Sequence, residues 1–327
     1  MESGTPAVYT GYAMNTQIGH LTYGEHAAEA LCAANEELKR LEALFSRYLP
    51  ASDVSRINKT AGIKAELISP DTFSLLYEAV HFSDICQGCF DITIGPLKDL
   101  WQKNAPGIPG DTKIRQATAL VNHRDLQMLP SQRAAFLKRS GQSLDLGGIA
   151  KGYASERILQ LLKKSGVTSA CINLGGNVAV LGSKPDGSPF RVGIRHPRKS
   201  DRLIGAVTGT DMAVVTSGDD QRYFIGPQGR RYHHILNPQT GYPAESGLLC
   251  VTVVSPNASL ADALSTALFA AGMENGLCIL QNCPNAQAVF VDLDFHAYVT
   301  PGLKDFFQPE HGIETTFLKA WEGSMPV

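Results

Sequence analysis

An acid and a hydroxyl stand four residues apart in Ala261-Asp-Ala-Leu-Ser-Thr-Ala267. On a helix, residues at that spacing are neighbours on one face. Asp262 and Thr266 therefore read as a pair of oxygen ligands for Mg²⁺, which needs few protein donors when phosphate and water supply the rest. Asp262 also has a local reading, because Ser259-Leu-Ala-Asp262 resembles a capping box with Asp in place of Glu. Thr266 has no such reason to be there, since Thr is a mediocre helix former. A second segment, Leu144-Asp-Leu-Gly-Gly-Ile-Ala-Lys-Gly-Tyr153, places a Gly pair ahead of a helix. Free amides at a helix start suit a phosphate, and Gly lets a ligand approach the main chain. Lys151 adds a positive charge, and Asp145 can accept from a ring N–H or a hydroxyl. The spacing matches neither the P-loop nor the dinucleotide GxGxxG pattern, and an ordinary strand–turn–helix connection explains it equally well. Third, His233 and His234 precede Asn-Pro-Gln-Thr-Gly241, a turn signal. A histidine there serves either packing or proton transfer, and His234 is the better placed for the second role. Asn173-Leu-Gly-Gly-Asn177 reads as a hairpin turn. Cys86-Gln-Gly-Cys89 reads as small residues at a helix end, with zinc or redox use as the other reading.

The elements that must hold these residues follow from periodicity. Leu31, Ala34, Leu38, Leu41 and Phe45 recur at three and four and predict an amphipathic helix over about 25–46. Asp71 is expected to cap a second helix with Phe73, Leu76 and Val80 buried. A third runs from about Ile149 to Lys164, with Lys163 and Lys164 in its last turn and Gly166 ending it. The fourth spans Ser259 to about Gly272. At about 100° per residue its Leu260, Ala263, Leu264, Ala267, Leu268 and Ala271 fill one arc. Asp262 and Thr266 then lie opposite, on a side expected to meet solvent or a site. Strands are expected at Ser169–Asn173, Val178–Leu181, Phe190–Ile194, Ala213–Thr216, Leu249–Val254 and Ala286–Asp292. Helices first, then strands and helices mixed, predict an α+β fold: two closely packed lobes of mixed or antiparallel sheet with flanking helices. The segment 104–118 reads as a loop that divides the single unit 1–327 softly. The tail after about 302 carries no motif; Phe306, Phe307 and Trp321 are expected to pack it onto the body.

Composition narrows the classes of function. The chain has 327 residues, 29 Lys+Arg against 31 Asp+Glu, and a net charge of −2, without the basic excess of a nucleic-acid binder. Apolar residues make up 43 %, enough for a sizeable core. No apolar run approaches the ~18 residues of a membrane span. The N-terminus lacks a signal-peptide pattern. Seven Cys is an odd number and not a disulfide framework. The 31 Gly place much backbone in turns and tight loops.

In order and spacing, six blocks resemble the FAD:protein FMN transferases, the ApbE-type flavin transferase family. They are Ala13-Met-Asn-Thr16; Phe45-Ser-Arg-Tyr-Leu-Pro-Ala-Ser-Asp-Val-Ser-Arg-Ile-Asn58; Cys89-Phe-Asp-Ile-Thr-Ile-Gly-Pro-Leu97 with Leu100-Trp101; Asp145-Leu-Gly-Gly-Ile-Ala-Lys-Gly-Tyr153; His234-Ile-Leu-Asn-Pro-Gln-Thr-Gly241; and Ala261–Ala267. The resemblance covers about Tyr12 to Gly272. It implies a Mg²⁺-dependent reaction in which FAD is cut at its pyrophosphate, FMN passes to a Thr hydroxyl of a target protein, and AMP leaves. FAD would lie in the cleft between the lobes. By the same resemblance, Asp262, Thr266 and the carbonyl of Gly148 hold the metal. Met14, Tyr48, Cys89, Phe90, Asp91, Asp145 and Lys151 line the FAD site, and His234 is the base. The implied partner is a flavoprotein subunit or domain carrying Asp/Ser-x-x-Ser/Ala-Thr, a motif that Asp262–Thr266 itself resembles. Three departures stand out: Asn237 where Asp is usual, His233 beside His234, and Cys89 where a small residue such as Ala is common. The same sites would serve an FAD pyrophosphatase giving FMN and AMP, or a flavin-binding protein without chemistry. Family members are commonly exported and lipid-anchored, so a periplasmic mature chain is expected, with a cytoplasmic one as the alternative. Any membrane contact would run through an anchor absent from this chain.

Overall fold

The computed structural model describes residues 6–319. Among them are seven α-helices: α1 Ala27–Phe45, α2 Asp53–Lys59, α3 Pro70–Ile85, α4 Gly95–Asn104, α5 Asp111–Thr118, α6 Ala150–Lys164 and α7 Ala258–Gln281. A nine-stranded sheet forms the middle of the molecule. Its order is Ala7–Ala13, Thr16–Tyr23, Ser169–Leu174, Asn177–Leu181, Ala213–Gly218, Leu248–Ser255, Gln287–Asp292, Ala297–Val299 and Thr315–Phe317, antiparallel except for the last pair. One face packs on α1, α3, α6 and α7 around Leu38, Leu76, Ile158, Leu264 and Phe269. The other covers a three-stranded sheet through Phe190, Val192, Ile204 and Val207. The alternation along Phe190–His196, with Phe190, Val192 and Ile194 buried and Arg191, Gly193 and Arg195 exposed, is what a half-buried strand requires. The α+β reading holds, as do all six expected strands to within a few residues.

Four local expectations need correction. Residues 111–118 are helical, not loop. Only Ile114 and Ala117 of that short helix are buried, too few to give a readable period, and they join Leu97, Trp101 and Leu236 in a satellite core. The second helix is capped by Ser69, whose side chain accepts from Thr72 N, with Pro70 in its first turn. Asp71 instead binds Arg40 and Tyr153. The fourth helix is capped by Asn257, which accepts from Leu260 N at 2.6 Å, so the capping-box reading of Ser259 and Asp262 falls. Lastly, α7 does not end near Gly272 but runs on to Gln281, which makes it long and apolar enough to span a membrane by composition. It is instead the core helix of the protein, buried on nearly every side and broken at Gly272, whose φ of 80° is left-handed. In the tail, Phe307 is buried while Phe306 is exposed; Trp321 lies outside the described residues.

Candidate active site

Backbone contacts between distant segments build the site. Asn58, at the end of α2, clamps Leu144: its Oδ1 accepts from Leu144 N and its Nδ2 donates to Leu144 O. Asp145 N then donates to Ile92 O at 2.8 Å, and Gly95 N to Ser143 O at 3.1 Å. A Cβ on Gly95 would collide with the Ser143 main chain, so Gly permits this close approach. Segments 45–58, 89–97 and 143–153 are thereby fixed side by side.

Asp145 is the electrostatic centre. It is 8 % exposed. Its Oδ1 accepts from Lys98 Nζ at 2.8 Å and Gly147 N at 2.9 Å, and its Oδ2 from Arg47 at 3.0 Å. Burial alone would raise its pKa, but Lys98 and Arg47 outweigh burial and hold the carboxyl well below the usual range. Arg47 is anchored by both oxygens of Asp99 at 2.7 Å. Asp91 commits both oxygens internally, one to the amide and hydroxyl of Thr93, the other to the amide and ring of His123. His123 also meets Asp84, and its bond to Asp91 together with that second carboxylate raises its pKa against the opposing cost of burial. In this structure Asp91 orders the loop beside the cleft.

The helix α6 begins at the Gly147–Gly148 turn without a side-chain cap of its own. Gly147 N is taken by Asp145, and Gly152 N donates to Asp262 Oδ2 at 2.9 Å. Asp262, 2 % exposed, is thus aimed at the start of α6, with Lys151 Nζ at 3.4 Å from its other oxygen. Lys151 also donates to Gly147 O at 3.2 Å. A Cβ on Gly148 would lie 3.2 Å from Thr266 Oγ1, so the Gly148 backbone and the Thr266 hydroxyl are neighbours. Ser217 links to Ser265 at 2.9 Å and to Thr266 at 3.3 Å. One carboxylate, one hydroxyl and one main-chain carbonyl are hard oxygen donors, and so few of them fit Mg²⁺, which keeps waters and takes substrate phosphate. Among the described residues no cluster of three or more His, Cys, Asp or Glu is found, and this donor set does not call for one.

The two histidines separate cleanly. His233 is buried, donates through Nε2 to Ala244 O at 3.0 Å and accepts from Ile235 N at Nδ1, so both nitrogens are committed to the fold. His234 opens to the cleft. Its Nδ1 faces the carbonyl of Gln221 at 3.0 Å, and a carbonyl only accepts, so Nδ1 carries the proton. Nε2 is left with a lone pair toward the cleft. The protein packed around the ring disfavours the cation, and Lys98 and Arg222 add to this, so the pKa is pushed well below that of free imidazole. His234 is a neutral base at pH 7. The turn after it is held by Asn237, whose Oδ1 accepts from Gln239 N and Thr240 N. An amide oxygen suffices for that Asx turn. Gly241 closes the turn at φ 76° against Ile114 and Leu97, and its carbonyl accepts from Trp101 Nε1 at 2.8 Å.

All eleven residues singled out in the sequence border one cleft of about 1090 Å³. Met14 sits at the tip of the hairpin between Ala7–Ala13 and Thr16–Tyr23; φ values of 50° and 60° at Met14 and Asn15 are those of a tight two-residue turn. Arg222 donates to Asn15 O at 2.6 Å and pins that tip. Tyr48 is 64 % exposed on the loop after α1, while the Phe90 ring, like Thr266 Oγ1, would lie 3.2 Å from a Cβ on Gly148, so both side chains meet at that turn. Cys86 caps α3 and is buried, which pushes its thiol up and leaves it protonated and unreactive. The sequence assigns no role to Arg47, Lys98, Ser217 or Arg222, although Ser217 and Arg222 lie in the candidate stretch Thr216–Tyr223 ahead of the histidines. Nor does it show the wall in which Trp101 and Phe224 flank Tyr232, with centroids 5.8 and 5.2 Å from it. Arg47 stands inside a block quoted for the resemblance, and Lys98 in the two-residue gap between Leu97 and Leu100.

The model of the ApbE family matches residues 12–290. A Klebsiella pneumoniae protein described as FAD:protein FMN transferase is 36 % identical over 257 residues, 78 % of this chain and 79 % of that protein. The structure of an ApbE protein from Thermotoga maritima superposes with a TM-score of 0.84 at 30 % identity, covering 92 % of this chain and 99 % of the other. That of the Pseudomonas stutzeri flavinyl transferase ApbE, in its apo form, gives 0.77 at 32 % identity, covering 88 % and 91 %. Fold, cleft and relatives together define an enzyme of the transferase class. The chain belongs to the ApbE family.

Proposed function

We propose that this enzyme transfers FMN from FAD to a threonine hydroxyl of an acceptor protein through a phosphoester bond, releasing AMP. The observation that carries the reading is one cleft in which a neutral imidazole, with its Nε2 lone pair open, shares the space with Asp262, Thr266, the Gly148 turn and Lys151. Phosphoryl transfer asks a protein mainly for positioning and charge neutralisation. Asp262, Thr266 and the Gly148 carbonyl would hold Mg²⁺, which supplies neutralisation of pyrophosphate charge when bound. Lys151, beside Asp262, binds the same anionic group. His234 Nε2 accepts the proton of the acceptor hydroxyl as that oxygen attacks the flavin-side phosphorus. Tyr48, exposed, and Phe224, half-buried against Tyr232 and Trp101, offer aromatic surface to the flavin and adenine rings. Asp145 and Asp91 fix the frame rather than the chemistry. The acceptor is a flavoprotein segment able to enter an open cleft.

The test is to mix the protein with FAD, Mg²⁺ and a candidate acceptor domain. Fluorescent acceptor on a denaturing gel together with AMP supports transfer. AMP with free FMN alone points to hydrolysis, and neither product leaves a binding protein.

A further inference from the structure

The cleft holds a second lysine besides Lys151. Lys98, on α4, donates to Asp145 Oδ1 at 2.8 Å, and among the described residues it has no other hydrogen-bond partner. An ammonium carries three donors, so two N–H groups remain, on a side chain that is 23 % exposed. Two neighbours fix its position. A Cβ on Gly147 would lie 3.3 Å from Lys98 Nζ, which places the ammonium against the turn that opens α6. Arg47, tied to Asp99, holds the other oxygen of Asp145 and keeps that carboxylate from swinging. His234 lines the same cleft, and of the charged groups that act on its ring Lys98 leads, ahead of Arg222 and His233. The ammonium therefore sits against the turn where the substrate's anionic group would bind, in the cleft that also holds the imidazole that would activate the acceptor.

We propose that Lys98 is a catalytic residue: its free N–H groups donate to a non-bridging oxygen of the flavin-side phosphate while the acceptor hydroxyl attacks. This rests on the flavin-transfer reading above. The step balances as one substitution at phosphorus. The Thr Oγ–P bond forms, the bridging P–O bond breaks with its electron pair leaving on AMP, and the hydroxyl proton passes to His234 Nε2. Lys98 exchanges no proton. It meets charge that grows on the phosphoryl oxygens, the situation in which preorganised donors matter most. Asp145 is then a positioning residue, fixing the ammonium through a bond that neither substrate nor product breaks.

The experiment compares Lys98→Met and Lys98→Arg in the full chain by two readouts. The first is kcat for FMN transfer at saturating FAD and acceptor, as a function of pH. The second is the titration midpoint of the His234 ring by NMR, in protein free of FAD and metal. For Lys98→Met we expect kcat to fall about 100- to 1000-fold. The His234 midpoint should rise, since a cation is removed, and the acid limb of the rate profile should move to higher pH with it. Lys98→Arg should recover part of the rate and keep the His234 midpoint near the wild-type value. An unchanged kcat in Lys98→Met, or a fall with no movement of the His234 midpoint, overturns the proposal. Wild-type protein that transfers no FMN to an acceptor labelled by a known family member overturns the flavin-transfer reading itself, and this proposal with it.

Discussion

Replacing Asp145 by Asn removes the one charge that two cations share. In the folded protein Arg47 is 9 % exposed and Lys98 23 %, and both lie within 3.0 Å of the Asp145 oxygens. Breaking a buried ion pair from one side costs about 3–5 kcal/mol, because the remaining charge stays desolvated. Arg47 keeps both bonds to Asp99, which is 58 % exposed, and Lys98 can turn toward water. The loss should therefore lie at the low end, about 3 kcal/mol. With a urea slope of ~3 kcal/mol/M, the unfolding midpoint drops by roughly 1 M. The sign with pH is fixed by the carboxyl, whose folded pKa lies below the ordinary 3.8. Its contribution is fully present above the unfolded value and fades as pH falls through the folded one. The gap between wild type and Asp145→Asn should thus be widest at neutral pH and narrow below about pH 4. Urea titrations at pH 7, 5 and 3 test this. A variant within ~0.5 kcal/mol of wild type at pH 7, the range of an ordinary surface change, would refute the view that Asp145 is the charge centre of the site.

Two further predictions concern the histidines and the helix crossing. His234→Ala should abolish transfer and keep FAD binding, measured by gel fluorescence and flavin titration. His233→Ala should keep transfer but lose about 1–3 kcal/mol of stability, since the Ala244 carbonyl and the Ile235 amide lose their partner. The opposite pattern would move the base to His233. At Gly152 a Cβ would stand 2.7 Å from Ala258 C and 2.8 Å from Ser259 Cα, both backbone atoms. Gly152→Val should cost at least about 1–3 kcal/mol in a melting experiment and disturb the Asp262 contact; a wild-type melt would show that α6 and α7 do not cross where they are placed.

Much of this site is legible in the sequence because its chemistry is local. The Gly147–Gly148 turn, the helix it opens and the Asp262–Thr266 pair need only spacing and helix periodicity. The helix period puts Asp262 and Thr266 opposite the apolar arc, toward solvent or a site, and both border the cleft. The rest of the helix is buried almost all round, the backbone of α6 covers Asp262, and Ser217 meets Thr266. What the sequence hides is set by distant partners. Lys98 and Arg47 read as surface charges until backbone contacts from Ile92 and Gly95 bring α4 beside Asp145. In the hairpin, Ala7–Ala13 is the edge strand and Thr16–Tyr23 lies inside it, with Ile18, His20 and Thr22 as its buried face; with His and Thr on that face there is no apolar alternation to read. The helix caps fell to Ser69 and Asn257 rather than to the nearby acids, because the residue that caps is decided by where the chain turns in.

The central claim is that one chemical event joins FAD cleavage to the acceptor. Its most direct test is the ratio of AMP released to FMN bound covalently, with the modified residue located by mass spectrometry of the acceptor. The account predicts one AMP per modified acceptor, a mass gain of FMN less water on a single threonine, and loss of both products together in His234→Ala. AMP released in step with free FMN, on an acceptor that gains no mass, would contradict it.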